Sequence, residues 1–220
     1  MKIAMCLYGV IGGTSTKAGD GSDGNDSILE IGYNHYRKYF FEKYDVDVFI
    51  HTWSVDYEER VRSYYKPVKA IFQKQKIFTI PEYAKVPKGF ENRKQSRIQN
   101  HYSRWYSTKK VVQLKKEYEN ENDFKYDFVF LTRFDVAFFK SINFKKLNSE
   151  FFYLAPWCFN KNILGNSISN RRYYNFKAAY PFPLSITFHK HKKYPYEGGV
   201  ADLWFISNTT YMDVFSTLYN

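Results

Sequence analysis

The fold class this sequence predicts is α/β: a single Rossmann-like domain with a mostly parallel central sheet flanked by helices. Three observations predict it. Short apolar runs at 3–7, 47–51 and 128–131 end in glycine or polar residues and show no polar alternation, as strands covered on both faces do. Segments with helical spacing lie between them, two of them opened by capping boxes, Ser27-Ile28-Leu29-Glu30 and Ser96-Arg97-Ile98-Gln99. No repeat or low-complexity tract interrupts the alternation, and 220 residues suit one domain.

In chain order, the strand at 3–7 leads into a stretch at 10–26 dense in Gly, Ser, Thr and Asp, which reads as a loop. Ile28, Ile31, His35 and Tyr39 then continue at helical spacing towards Tyr44. The strand at 47–51 ends at Thr52 and Trp53. A helix to about Tyr64 follows, then short strands at 70–72 and 77–80 among Pro67, Pro81 and Pro87. The second capping box opens the longest helix, from Ser96 to about Tyr118, with Asn100, Ser103 and Lys109 as polar members able to face a cleft. The strand at 128–131 is the most apolar in the chain, and Thr132-Arg133-Phe134-Asp135 separates it from a second apolar run at 136–139. Beyond a strand at 151–154, residues 157–183 are rich in Asn, Tyr and Arg and could cover a site. Residues 202–207 read as a strand or helix start, and Tyr211, Phe215 and Leu218 space like a closing helix.

Composition narrows the function classes. Aromatic residues make up 21% of the chain and hydrophobic ones 44%, so it can bury a real core and is not a disordered tail. The charge of +11 points first to a polyanion, nucleic acid or membrane surface, or to a phosphorylated ligand. Lys, Asn, Tyr, Phe and Ile have A/T-rich codons, however, so genome base composition accounts for part of the excess, and no block of five like charges forms a polybasic arm. Cys6 and Cys158 cannot make a disulfide framework and read as small buried hydrophobes. The apolar run after Lys2 is too short for a signal peptide and no run reaches 18 apolar residues, so a cytoplasmic protein without a membrane span is expected.

Ligands of open α/β sheets bind beyond the carboxyl ends of the strands, which directs attention to the segments after 7, around 132–135 and near 197–202. Arg133 and Asp135 stand two residues apart, on one side of an extended chain. The carboxylate could hold a hard divalent cation against a diphosphate while the arginine neutralises the same phosphates. The pair could equally be an ion pair that locks two strands together. The rival reading, a single-stranded nucleic-acid-binding module, would use the charge and the aromatics as stacking platforms, but the aromatics concentrate in core-like runs.

The order of several pieces resembles the nucleotide-sugar glycosyltransferases of the GT-A fold, in particular short capsule-type and virus-encoded members. The pieces are Lys2-Ile3-Ala4-Met5-Cys6-Leu7-Tyr8-Gly9, Asp47-Val48-Phe49-Ile50-His51-Thr52-Trp53, His101-Tyr102-Ser103-Arg104-Trp105-Tyr106-Ser107, the run from Tyr126 to Asp135, and Gly199-Val200-Ala201-Asp202-Leu203-Trp204-Phe205. The resemblance implies a nucleotide-binding half at 1–135 and an acceptor and closing half at 136–220. It implies a nucleoside diphosphate sugar as donor and a glycan or saccharide as acceptor, with no specific nucleic-acid partner. Tyr8 and Gly9 would pass near the base and ribose, and Thr52 and Trp53 would wall that site. Asp135 would stand at the last position of an Asp-x-Asp element holding Mn²⁺ or Mg²⁺, and Asp202 would be the general base. His189 or His191 could add a metal ligand, and Glu197 is an alternative base. Arg133 stands where the first Asp of that element is expected, so the metal could be replaced by arginine and lysine contacts, or the chain could be a catalytically inactive nucleotide-sugar-binding relative. A virus-encoded member would work in the host cytoplasm.

Overall fold

Strand β1 (Lys2–Gly9) is buried from Ile3 to Tyr8 because it has a parallel neighbour on each side and helices over both faces. Its neighbours are β2 (Asp45–Thr52) and β4 (Phe128–Arg133), and β3 (Lys69–Phe72) continues the parallel set beyond β2. Strand β8 (Val200–Ser207) runs antiparallel between β4 and β5 (Tyr153–Pro156), giving a six-stranded sheet in the order β3-β2-β1-β4-β8-β5. A separate ribbon pairs β6 (Phe159–Lys161) with β7 (Ser167–Ser169). The computed structural model describes residues 1–12, 25–84, 91–156, 159–161, 167–169 and 200–219. The expected α/β sheet flanked by helices is therefore present, and no helix among the described residues is long and apolar enough to cross a membrane.

Alternation sorts the strand side chains between two cores. Ile3, Met5, Leu7, Val48, Ile50, Phe128 and Phe130 pack under α1 (Asp26–Tyr36), its π-helical extension Arg37–Phe41, and α2 (Glu58–Tyr65). Ala4, Cys6, Tyr8, Phe49, Val129 and Leu131 face α3 (Lys94–Glu121) and α4 (Thr209–Ser216). Most of the aromatic excess is spent here: Phe40, for example, meets Phe130, Phe138 and Phe144 with centroids 5.0, 5.0 and 6.4 Å away. Cys6 is fully buried, and burial pushes its thiol pKa up, so it behaves as a small hydrophobe; Cys158 lies outside the described residues.

Several local expectations are corrected. The cap of α1 is Asn25, whose side chain accepts from the N–H groups of Ser27 and Ile28, so the Ser27 capping box does not form. Helix α3 begins before Ser96, directly after a 3₁₀ turn at Glu91–Arg93, which places that second box inside the helix. Residues 77–80 form no strand. Instead Phe78 N–H donates to Gln99 Oε1 at 2.9 Å and Gln99 in turn donates to the Lys76 carbonyl, seating the segment on α3. The apolar run at 136–139, given no element by the sequence, is strapped along α1 and its extension: His35 Nδ1 meets the Phe138 carbonyl at 2.5 Å and Tyr44 donates to the Ile142 carbonyl at 2.7 Å.

At the amino-terminal edge of the sheet, the α3 face contains charge. Lys115 is fully buried and donates to Glu119 Oε2 at 3.0 Å, to Asp213 Oδ1 at 2.7 Å and to the Thr209 hydroxyl. Glu119 Oε1 also accepts from Thr209 at 2.7 Å and from the Tyr126 N–H at 3.0 Å. Burial alone would raise the Glu119 carboxyl, but these donors outweigh it and hold its pKa below the usual range. The cluster ties α3, α4 and the entry to β4 together.

Candidate functional site

The parallel strands leave β1 in opposite directions, to β2 on one side and β4 on the other, which makes the carboxyl edge between β1 and β4 a topological switch point. The register puts Tyr8 beside Arg133 and Gly9 beside Thr52. Sequence-predicted residues Tyr8, Gly9, Thr52, Trp53, Arg133 and Asp135 thus gather along the ends of three adjacent strands.

Gly9 turns the chain at φ +99°, a conformation that favours glycine. Its N–H donates to Ser107 Oγ at 3.2 Å and its carbonyl accepts from Trp53 N–H at 3.2 Å. Ser107 Oγ also lies 2.6 Å from Nδ1 of His51, which is completely buried. The other ring nitrogen and the Gln73 Nε2 are both buried and without a hydrogen-bond partner among the described residues. Ser107 Oγ accepts from Gly9 N–H and lies within hydrogen-bond distance of both the His51 ring and, at 3.3 Å, the His51 carbonyl, tying α3 to the ends of β1 and β2. Burial, ahead of the charges on Lys110 and Lys76, pushes the His51 pKa down to about 3, so the ring is neutral.

Trp53 is 2% exposed, stacked on Tyr106 at 5.5 Å and edge-on to His51 at 4.8 Å. Thr52 is buried and its hydroxyl accepts from the Ser54 N–H at 3.1 Å. Both residues therefore support the edge from behind. Lys76 and Lys110 lie 4.6 and 5.7 Å from the Tyr106 ring centroid. Burial raises that phenol, but hydrogen bonds with Lys76 and Gln73 and the two positive charges outweigh it, leaving its pKa below the usual value.

Arg133 and Asp135 do point to one side, as the sequence implies. Arg133 Nε donates to Asp135 Oδ1 at 2.8 Å and Nη2 donates to Oδ2, and the side chains are 34% and 30% exposed. The ion pair closes within its own turn and does not lock two strands. Phe134 between them is buried, and its carbonyl lies so near α1 that a Cβ on Gly32 would come within 2.4 Å of it. Tyr36, buried beneath, donates to the Arg133 carbonyl, and Thr132 donates to the Leu203 carbonyl at 3.2 Å. Burial raises the Tyr36 phenol, which keeps its proton for that bond. The turn is held by buried backbone contacts while its charged ends stay reachable by solvent.

Arg104 was not singled out for a role by the sequence, although it sits in one of the resembling segments. Its Nε lies 3.4 Å from Tyr8 Oη, and its guanidinium lies 4.6 Å from the Trp105 ring centroid and 5.6 Å from that of Phe205. His51, Ser107, Gln73 and Tyr106 were likewise missed; the one available signal was the polar series Asn100, Ser103, Ser107 at helical spacing. Asp202 lies in β8, two residues before Trp204, the register partner of Thr132, so its backbone adjoins this edge; its side chain lies outside the described residues. His189, His191 and Glu197 also lie outside them. A pocket of about 410 Å³ lined by Tyr33, Phe41, Tyr44 and Tyr64 opens beside the amino-terminal half of β2, at the opposite end of that strand.

No protein-family model matches this sequence, and no similar curated protein is found.

Proposed function

We propose that this chain is a glycosyltransferase of GT-A type, moving a sugar from a nucleoside diphosphate sugar to a hydroxyl of a glycan acceptor. The observation that carries the reading is the Arg133–Asp135 turn at the β1/β4 switch point, where a sheet of this kind receives a phosphorylated ligand. Tyr8 and Gly9 lie where the base and ribose would pass, and Arg133 faces the leaving diphosphate, whose growing negative charge it stabilises. Asp202, on the neighbouring strand, is the residue assigned to deprotonate the acceptor hydroxyl. A divalent cation would be held by Asp135, with His189 as a further ligand, and would supply Lewis-acid stabilisation of the diphosphate. Among the described residues its fit is poor, because both Asp135 oxygens already accept from Arg133.

That same pairing favours a second reading, a nucleotide-sugar-binding relative without turnover. The nucleic-acid alternative loses support, since among the described residues Trp53 and Tyr106 are buried and only Tyr83, Phe139 and Tyr211 of the large aromatics are exposed. Incubation of the intact protein with UDP-, GDP- and TDP-sugars and a saccharide acceptor library tests the proposal. Transfer by the wild type that is abolished in Asp202→Asn supports it. Binding without transfer selects the inactive relative, and no binding to any sugar nucleotide refutes both.

A further inference from the structure

We propose that the outer flank of α1, with the segment 136–142 strapped along it, docks on an anionic lipid surface. The strap turns one ring in and the next one out. Phe138 packs on Phe40, Phe130 and Tyr36 with centroids 5.0, 5.5 and 5.8 Å away, and its carbonyl is held by His35. Phe139 is consequently turned outward, 78% exposed, with its ring edge-on to His35 at 5.5 Å. It does not stand alone. His35 lies 6.0 Å from the Tyr39 ring, and Ile31, one turn before His35 on α1, is 53% exposed, so Ile31, His35, Tyr39 and Phe139 form one apolar stripe.

Three lysines rim the stripe. Lys38 and Lys43 place their ammonium groups 5.3 and 5.8 Å from the Tyr39 ring centroid, Lys43 also donates to Ser141 Oγ at 2.6 Å, and Lys140 adjoins Phe139 in the chain. All three are exposed, and none has a carboxylate partner among the described residues. Of the carboxylates between Asp26 and Lys43, Asp26 pairs with Arg60 and Glu42 with Arg37 at 3.5 Å, which leaves Glu30 against three ammonium groups. An apolar insertion and a basic rim are the two signals that together hold a protein on an anionic membrane, where either alone gives marginal binding. Fluid lipid accepts a projecting ring without a shaped pocket, the Tyr39 phenol suits headgroup depth, and the lysine stems let their ammonium groups stay among the phosphates. Asp135 lies four residues before Phe139, at most about 14 Å along the chain, so docking here would bring the Arg133–Asp135 turn close to the lipid.

The test is flotation of the intact protein with phosphatidylcholine vesicles, either plain or containing about 30% phosphatidylserine, at physiological ionic strength. Binding is expected to be at least about tenfold stronger with phosphatidylserine and to fall as salt is raised. Phe139→Ser and the triple variant Lys38→Gln, Lys43→Gln, Lys140→Gln each weaken it roughly tenfold or more, because each removes one of the two signals. Replacing three exposed lysines elsewhere, Lys74, Lys116 and Lys125, by glutamine leaves it within about twofold. Phe139→Trp keeps binding, and its added fluorescence is quenched by brominated acyl chains. All the substituted side chains are exposed, so unchanged thermal unfolding separates lost docking from lost fold. Equal binding to the two kinds of vesicle, or to neither, overturns the proposal. Binding that survives Phe139→Ser, or equal weakening by the two lysine triples, assigns the attraction to diffuse charge and overturns it too. Affinity for polyglutamate without affinity for vesicles assigns the flank to an acidic protein partner, with the same consequence.

Discussion

Helix α3 carries a polar cluster at each end of the sheet, and the two are built differently. At the amino-terminal edge, Lys115, Glu119, Asp213 and Thr209 close on one another, with Lys115 and Glu119 having no exposed side-chain surface. At the carboxyl edge, the Arg133–Asp135 pair is about one-third exposed and Arg104 rests on rings. A buried cluster whose charges answer each other holds helices in register. A cluster anchored through buried backbone bonds, with the Arg133 guanidinium about one-third exposed, keeps its charge at the surface, where the proposed ligand would bind. The contrast teaches that charge on this chain has two separate uses, and the +11 total distinguishes neither.

Breaking the closed cluster should have the largest effect. Lys115→Ala leaves buried Glu119 with only the exposed Lys125 ammonium, 3.3 Å away, as a charged partner, and should cost about 3 kcal/mol in urea unfolding, as removal of one partner from a buried pair does. Ligand binding at the other edge should survive in whatever fraction remains folded.

The next effect is acid sensitivity through His51. Its folded-state pKa is lowered to about 3 from an ordinary 6.5, so the unfolded chain binds the extra proton first. Stability from the neutral ring is full above 6.5 and is lost as pH falls through the window down to about 3. Glu119 has a depressed pKa and loses its contribution only below its ordinary 4.5. Urea midpoints measured between those two ordinary values therefore isolate the histidine, with a loss of roughly 2 kcal/mol over the window. His51→Gln should flatten that slope; an unchanged slope would remove His51 as its source.

Gly32→Ala should follow, at about 1–3 kcal/mol, because the new Cβ meets the Phe134 carbonyl at 2.4 Å and either α1 or the turn must yield. Its distinguishing result is weakened nucleotide binding by a residue that touches no ligand. Arg133→Gln should change stability least, by less than about 1 kcal/mol, since an ion pair about one-third exposed contributes little. Thermal unfolding of that variant checks the small loss, and a large one would place Arg133 with the scaffold.

The strands were legible in the sequence because burial on both faces writes continuous apolar runs, and the expected runs at 3–7, 47–51 and 128–131 lie inside β1, β2 and β4. The Arg133–Asp135 juxtaposition was legible only from its spacing of two; the pair meets across the turn at 134–135 that ends β4, not along an extended chain. Helix beginnings were less so. Asn25 and Ser27 are both good caps, and Asn25 wins because it holds the extended backbone, φ −136° and ψ 116°, that a cap requires. Residues 77–80 look like a strand but find a glutamine side chain on α3 instead of a neighbouring strand. Arg104 and His51 acquire their settings from Tyr8 and Ser107, 96 and 56 residues away, and no local pattern encodes such partners.

Hydrogen–deuterium exchange of the intact protein tests the central claim most directly, with and without the nucleoside diphosphate that gives the largest thermal shift. The account predicts added protection at the carboxyl edge, in peptides covering 8–12, 104–107 and 133–135, and none at 115–119 or 209–213. Protection confined to the amino-terminal edge, or absent from 133–135 at saturation, would contradict it.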